Sequence, residues 1–285
     1  MANISKINGV EIANISKLSG RTLANGDKVM GISKPTPSET TILSVDFNSV
    51  GSSDGSSATL PSGWAKADSG NMTVYGSTTD SDMGSNQDTR GWVIGTGGTP
   101  SSGTGPNGGH LDGVDATDGT QNTTTAHRYM HMEASNPAGA STSRKQHLIR
   151  TGELDFSSFS TITMTFWFHH YSSFGGGDHS GDFGVTATTD NNDASSGGIG
   201  FTSDTAGGAT IVYWTADDGS STSSAVRINS SQQTSNAAKW RKATVDLSAM
   251  AGESSVYIYF FSATKAHTYY WANDTAVDSI KVVGS

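Results

Sequence analysis

The sequence predicts an all-β protein, a β-sandwich with a short β-rich arm at its N-terminus. In a chain of 285 residues, 35 glycines, 15% charged residues and many Ser/Thr/Gly clusters suit short strands joined by turns and leave little room for long helices. Apolar segments also recur at the spacing of sandwich strands. The length permits one large sandwich or two small domains, and we expect one sandwich with an N-terminal appendage.

The first 34 residues contain a short repeat, which predicts an attachment arm. Residues 2–6 (Ala-Asn-Ile-Ser-Lys) recur as residues 13–17, an offset of eleven, and a glycine follows each copy at the same distance. The β-branched residues favour strands, and the dipeptides Asn8-Gly9 and Asn25-Gly26 are hairpin signals. We therefore expect short hairpins or β-arcs over residues 1–32.

Such an arm has too few apolar residues to close a core by itself. It has to pack on the main domain or pair its edges with another chain, and the alternative is a partly ordered tail. The candidate assembly residues are Ile4, Ile7, Ile12 and Ile15. Residues 35–40 follow as a linker, which Pro35 and Pro37 stiffen.

Residues 41–285 are predicted to form the sandwich domain. The segment at 129–133 alternates two faces, with Met130 and Met132 on one of them. Residues 162–168 (Ile-Thr-Met-Thr-Phe-Trp-Phe) are the strongest strand candidate in the chain. The other predicted strands are 42–47, 183–187, 209–214, 224–228, 240–247, 256–261 and 276–283.

Charge and composition exclude several classes of partner. The net charge is −9 and no run of Lys/Arg is present, so nucleic acid is not expected. No stretch approaches 18 apolar residues, so membrane insertion is not expected either. The chain has no cysteine, and its first residues lack the features of a secretory signal. We expect a protein made in a host cytoplasm without a signal peptide and displayed on the surface of a virus particle.

An ordered series of motifs resembles one extracellular family. The motifs are Val-Asp-Phe-Asn at 45–48, Leu-Pro-Ser-Gly-Trp at 60–64, Thr-Gly-Pro-Asn-Gly-Gly-His at 104–110, residues 129–135, Phe-Trp-Phe-His-His at 166–170, residues 240–247 and Asp-Ser-Ile-Lys-Val at 278–282. Together they resemble the MAM domain and its bacterial relatives, the choice-of-anchor J adhesin domains. The resemblance implies a concanavalin A-like jelly roll that binds and does not catalyse.

The same resemblance implies a structural Ca²⁺. In these jelly rolls the first and last strands lie near each other, so Asp46 and Asp278 are expected to approach and to serve as metal ligands. The pattern is incomplete, because Asn48 and Gly109 stand where many members carry acidic residues. The alternative is that both aspartates are solvated or cap turns.

No motif in the sequence requires an enzyme. His127, His131 and Glu133 share one face of a strand, but their spacing matches no zinc signature. His169 and His170 point to opposite faces and are better explained by packing. The acidic runs at 178–182, 190–193 and 217–218 lie among Gly and Ser, as loops do. Neither a nucleophile elbow nor a phosphate loop occurs.

Tyr269, Tyr270 and Trp271 form a predicted aromatic loop before the last strand. They are suited to stack on a sugar ring or to anchor a protein partner, and the alternative is that Trp271 caps the core.

Three functions follow from these observations. The first is a non-enzymatic virion structural protein of a tailed phage, a fibre, knob or capsid decoration, present in identical copies and contacting other virion proteins through its arm. The phrase at residues 4–10 with its following copy resembles the arms of structural proteins from tailed phages of marine bacteria. The alternative is a bacterial secreted adhesin or carbohydrate-binding module. A glycan-cleaving enzyme, which needs a carboxylate pair across a cleft, ranks last.

Overall fold

The structure is a computed structural model, and it describes part of the chain. The described residues are 6–7, 10–11, 17–18, 21–22, 28–29, 32–33, 38–50, 60–66, 91–99, 103–110, 113–115, 117–124, 127–133, 146–172, 182–189, 210–211, 214–216, 227–228, 231–263 and 274–285. The chain divides into two compact units, Met1–Thr40 together with Ser285, and Thr41–Gly284. The predicted bounds of arm, linker and sandwich stay predictions.

The arm forms three separate hairpins. Their strands are β1 (Lys6–Ile7), β2 (Val10–Glu11), β3 (Lys17–Leu18), β4 (Arg21–Thr22), β5 (Lys28–Val29) and β6 (Ile32–Ser33). Each hairpin pairs its own two strands, and corresponding strands are offset by eleven residues throughout. The structure therefore adds a third copy to the two that the sequence motif predicted.

In the third hairpin, Val29 pairs with Ile32. Asn25-Gly26, the second predicted hairpin turn, lies outside the described residues. Asn8-Gly9 lies between the paired residues Ile7 and Val10, as predicted.

The second unit is a β-sandwich of two sheets, which confirms the predicted fold class. The larger sheet has the order β17-β19-β14-β21-β12-β9, with β7 also paired to β21. Its strands are β7 (Thr40–Val45), β9 (Gly91–Thr96), β12 (Arg128–Glu133), β14 (Ile162–Tyr171), β17 (Trp214–Ala216), β19 (Arg241–Asp246) and β21 (Asp274–Gly284).

The smaller sheet has the order β16-β15-β20-β13-β8, with β18 paired to β15. Its strands are β8 (Ala65–Lys66), β13 (Gln146–Arg150), β15 (Asp182–Thr188), β16 (Thr210–Ile211), β18 (Arg227–Ile228) and β20 (Tyr257–Ala263). A short two-stranded ladder of β10 (Gly109–His110) and β11 (Gln121–Asn122) lies apart from both sheets. Within the described residues the only helix is the 3-10 turn Ser248–Met250, and none is long and apolar enough to cross a membrane.

Alternating side chains of the strands fill the space between the sheets. On β14, Met164, Phe166 and Phe168 are fully buried on the core side. Phe166 meets Phe260 of β20 edge to face, with ring centroids 5.6 Å apart. The predicted strand faces are confirmed on β12, where Met130 and Met132 belong to this core.

One predicted strand is divided between the two sheets. The segment predicted at residues 209–214 instead contains β16, which pairs with β15, and the start of β17, which pairs with β19. The prediction failed because a continuous apolar run does not show where a chain crosses from one sheet to the other.

Candidate functional site

Asp46 and Asp278 come together because the first sandwich strand lies beside the last. β7 ends at Val45 and pairs with β21, which contains Asp278. Asp46 follows directly, in a turn where Phe47 adopts a positive φ of 57° and the Asn48 N–H donates to Asp46 Oδ1 at 3.1 Å. The Asp46 carboxylate contributes to the raised pKa of Asp278, so the two groups lie within electrostatic range of each other.

A bulge in β21 places the Asp278 side chain away from the core. The register between β14 and β21 shifts between Thr165 and Trp167, and Ser279, with a positive φ of 51°, is the extra residue. Asp278 therefore lies opposite Trp167 on the outer face, while Ile280 returns to the core. Nothing in the sequence Asp-Ser-Ile marks this bulge.

The Asp278 carboxylate is buried, with 1% of its surface exposed. Its Oδ2 accepts a hydrogen bond from the His110 N–H at 3.0 Å, and its Oδ1 accepts one from the Ser279 N–H at 2.6 Å. Burial raises the pKa of Asp278 well above its usual value despite these hydrogen bonds, and the nearby Asp46 carboxylate raises it further. This carboxyl group is therefore held in an environment that disfavours its charge.

Within the part of the chain that the structure describes, no basic side chain forms a salt bridge with either carboxylate. Lys281, two residues after the bulge, pairs with Asp115 at 2.6 Å, and Lys239 pairs with Asp118 at 3.1 Å. A buried carboxylate beside a second one is costly unless a cation compensates both. The pair thus has the electrostatic character of a cation site.

The donor set suits a hard cation better than zinc. Among the described residues no group of three or more His, Cys, Asp or Glu side chains surrounds the pair. The ring nitrogens of nearby His110 are engaged, Nε2 with the Asp118 carbonyl at 2.8 Å and Nδ1 with Ser279 Oγ at 3.4 Å. Further ligands would have to be carbonyl, hydroxyl or water oxygens, which Ca²⁺ accepts.

An aromatic layer covers the outer face of the larger sheet next to this pair. The His110 ring stacks on Trp167 with centroids 4.3 Å apart, and Trp240 meets His110 and Tyr129 edge-on at 6.5 and 5.6 Å. The Trp240 indole N–H donates to the Gly108 carbonyl at 3.1 Å. Loops 103–122 and 231–240 are thereby fastened over the sheet.

Gly119 is required for this closure. A Cβ at this position would lie 1.9 Å from the Trp240 carbonyl oxygen, to which Gly119 is joined by a 2.8 Å hydrogen bond between the Trp240 N–H and the Gly119 carbonyl. Only a residue without a side chain permits the two backbones to approach so closely.

The histidines considered for zinc take part in packing. His131 is 3% exposed, lies 5.4 Å from the Tyr129 ring, and has its ring against Gly95, where a Cβ would be 2.7 Å from Cε1. His169 and His170 lie on opposite faces of β14, as predicted: His169 packs near Trp240 at 5.9 Å and His170 stacks near Phe183 at 6.4 Å.

An open cleft of about 450 Å³ borders Asp46. It is lined by the end of β7, the turn at residues 49–50, the turn at residues 60–62 and Val114. The sequence predicted the second turn, whose Trp64 N–H donates to the Pro61 carbonyl at 3.0 Å, but not the cleft. Its serines are unremarkable in a Ser-rich sequence.

Most of the remaining predicted site residues lie outside the part of the chain that the structure describes. Tyr269, Tyr270 and Trp271 lie outside the described residues, as do Ile4, Ile12 and Ile15 of the arm. Ile7 is described and belongs to β1. Of the three acidic runs, only Asp182 is described, as the first residue of β15.

No family model matches the sequence, and no curated protein matches it. Solved structures with similar folds include the K1 cleaved adhesin domain of Lys-gingipain from Porphyromonas gingivalis W83, at 15% identity over 86% of this chain and 99% of that chain, with a TM-score of 0.41. The Stig cyclase Fisc from Fischerella sp. TAU shares 12% identity over 87% of this chain and 98% of that chain, with a TM-score of 0.41.

A third similar structure is TmCBM27, a carbohydrate-binding module that recognises mannan, at 8% identity over 87% of this chain and 99% of that chain, with a TM-score of 0.29. These values are too low to carry a functional conclusion. Function has to be argued from this chain's own residues.

The buried His169 predicts a pH dependence of stability. Burial lowers its pKa from 6.5 to about 3, with a contribution from neighbouring His170. Because the folded pKa is depressed, the stability is present above pH 6.5 and is lost as the pH falls toward 3. We expect this residue to cost about 2–3 kcal/mol of unfolding free energy between pH 7 and pH 4.5. Urea denaturation of the protein and of His169→Phe at both pH values measures it. An equal loss in both proteins would contradict the assignment.

Proposed function

We propose that this chain is a non-enzymatic binding domain of the adhesin or carbohydrate-binding type, stabilised by Ca²⁺ at Asp46 and Asp278. The observation that carries the proposal is the contrast between buried histidines and an open cleft. The histidines, which are able to perform acid–base chemistry, are buried. Asp46, by contrast, borders a cleft open to solvent.

The burial of four histidines argues against catalysis. His110, His131, His169 and His170 are exposed by 1%, 3%, 0% and 0% of their surface. A general acid or base has to come within hydrogen-bond reach of the substrate. These buried side chains do not meet that condition. His110 and His169 pack against Trp240, and His170 packs against Phe183 on the opposite face of β14.

The cation has a structural task in this proposal. Asp46 lies just beyond the end of β7 and Asp278 in the middle of β21, so a cation bound by both links the domain's first strand to its last. Ca²⁺ supplies the positive charge that offsets two adjacent carboxylates. It also fixes the turn that forms one wall of the cleft.

We expect chelation of Ca²⁺ to lower the melting temperature. A cation present at about 100 times its dissociation constant stabilises the folded state by roughly 2.7 kcal/mol, or about 5–10 °C for a domain of this size. Thermal melts with added Ca²⁺ and with EDTA measure the shift.

Asp278→Asn provides the decisive comparison, with exposed Asp155→Asn as matched control. The Asp278 variant should not respond to Ca²⁺, and in EDTA it should melt no lower than the parent protein, since it no longer buries a charge beside Asp46. The Asp155 variant should respond like the parent. A parent protein indifferent to EDTA, or an Asp278 variant that still responds, would exclude the cation site.

Binding itself is tested on surfaces. We expect the labelled full-length protein to bind saturably to a glycan array or to bacterial cells in Ca²⁺-containing buffer, because the sandwich presents a cleft open to solvent. Heat-denatured protein is the control. Absence of saturable binding to both surfaces would refute a binding domain.

The arm favours a second candidate, display on a tailed-phage particle as a fibre, knob or capsid decoration. Its hairpins repeat every eleven residues, and each pairs only with itself among the described strands. Isolated two-stranded hairpins are marginally stable in water, and unpaired edges invite pairing with another chain. Attachment to identical copies and to other virion proteins would supply the missing partners, at the particle surface.

We expect the full-length protein to form an oligomer that falls to monomer when residues 1–34 are deleted. Light scattering of both proteins measures their mass. The matched variant I7S/L18S/V29S keeps the length and charge of the arm and should also be monomeric, because it loses the apolar residue beside each turn. A full-length monomer, or an oligomer that survives the deletion, would exclude self-assembly through the arm.

A further inference from the structure

The cleft beside Asp46 presents hydroxyl groups that the protein itself does not use. Ser44, Ser49 and Ser62 line it and are exposed. None of the three hydroxyls hydrogen-bonds to another described residue. They remain available as donors and acceptors for a ligand.

Asp46 adds a strong acceptor to these hydroxyls. It is half-buried, and its Oδ1 accepts the hydrogen bond from the Asn48 N–H at 3.1 Å. Its Oδ2 accepts none from the rest of the described chain. A carboxylate offers about four lone-pair positions, so Asp46 can receive a ligand hydroxyl while it also binds the proposed Ca²⁺.

The remaining walls are apolar. Leu60 and Pro61 are half-buried and flank the hydroxyls. A cleft of about 450 Å³ falls in the range of small-ligand sites, roughly 300–1,000 Å³, which combine apolar walls with a few convergent polar groups. A sugar ring matches this combination, since its C–H faces are apolar and its edge carries hydroxyls.

Both turns that form the cleft are held firmly. In the first, the Val50 N–H donates to the Phe47 carbonyl at 3.0 Å and the Arg128 N–H donates to Asn48 Oδ1 at 2.8 Å. In the second, Trp64 stacks on Phe260 at 6.3 Å, and Phe47 meets Trp64 edge-on at 5.9 Å. The cleft walls therefore need little ordering on binding.

Charge selects among sugars. Residues 35–285 contain 12 Lys/Arg and 24 Asp/Glu, a formal charge of −12, whereas residues 1–34 contain five and two. The negative charge of the domain as a whole repels uronic acids, sialic acids and sulfated sugars. Neutral glycans carry no such penalty.

We infer that the cleft formed by Ser44, Ser49, Ser62, Asp46, Leu60 and Pro61 binds a neutral glycan. The inference rests on the proposed binding function and names its site and ligand class. The hydroxyls and Asp46 bond the edge of a ring, and Leu60 and Pro61 contact its face.

Native gel electrophoresis of the full-length protein through gels containing mannan, dextran or galactan tests this, with alginate as the acidic comparison. We expect at least one neutral polysaccharide to retard the protein and alginate not to. S44A/S49A/S62A should bind that polysaccharide at least tenfold more weakly, because three hydrogen bonds are lost. The control S158A/T234A/S254A removes three exposed hydroxyls outside the cleft and should bind normally. Circular dichroism melts verify that both variants fold.

The outcomes separate this inference from the proposed function. Equal retardation of the parent and S44A/S49A/S62A would overturn the cleft assignment and leave a glycan-binding domain with its site elsewhere. If the protein binds alginate, or if it binds cells but none of the neutral polysaccharides, the inferred ligand class is wrong. The proposed binding function would still stand. Failure on every polysaccharide, on the glycan array and on cells would refute both.

Discussion

The pairing of β14 with the bulged strand β21 is the constraint on which the rest of the sandwich domain depends. β21 lies between β14 on one side and β12 and β7 on the other, so it joins the two halves of the larger sheet. The bulge at Ser279 lets one strand serve two purposes. Before it, Asp278 faces outward, and after it Ile280 and Val282 face the core. If Ser279 were instead paired as a regular strand residue, the alternation after it would reverse and turn Ile280 and Val282 away from the core.

The outer layer explains why this sheet carries so many buried polar residues. His110 stacks on Trp167 at the outer face, and Trp240 meets His110 edge-on. The loops that contain His110 and Trp240 are joined by the hydrogen bond from the Trp240 N–H to the Gly119 carbonyl. The sheet is therefore covered on both sides, by the sandwich core and by this aromatic layer. Asp278 lies where that cover ends near Asp46 and the solvent-facing cleft. The candidate cation site is thus a boundary between a closed packing layer and an open surface.

Much of the fold was accessible from the sequence because its strands alternate clearly. The segment 162–168 contains strong apolar alternation, and β14 extends it only to Tyr171. The expectation that Asp46 approaches Asp278 came from the resemblance to MAM-like jelly rolls, in which the first and last strands lie near each other. A third arm repeat was missed although Lys28 and Gly31 stand at the repeat positions, because Gly26 and Asp27 interrupt the motif. The strands that were predicted correctly are those that the local alternation of side chains determines.

Other features depend on tertiary contacts that no local pattern reports. His131 on an alternating strand is read as a solvent-facing residue, yet loops cover it, and no propensity predicts which loop will fold back. The split of residues 210–216 between two sheets has the same origin. The cleft depends on two turns that are brought side by side by the Phe47 and Trp64 contact. The serines of these turns can be recognised as cleft residues only once that contact is known.

The position of β21 also has a consequence for synthesis. It is the last strand of the sandwich in chain order and an interior strand of the larger sheet. While a ribosome is still making it, β12, β14 and β7 have no shared neighbour, and their pairing edges stay open. The larger sheet can therefore be completed only once β21 has been synthesised and has left the exit tunnel.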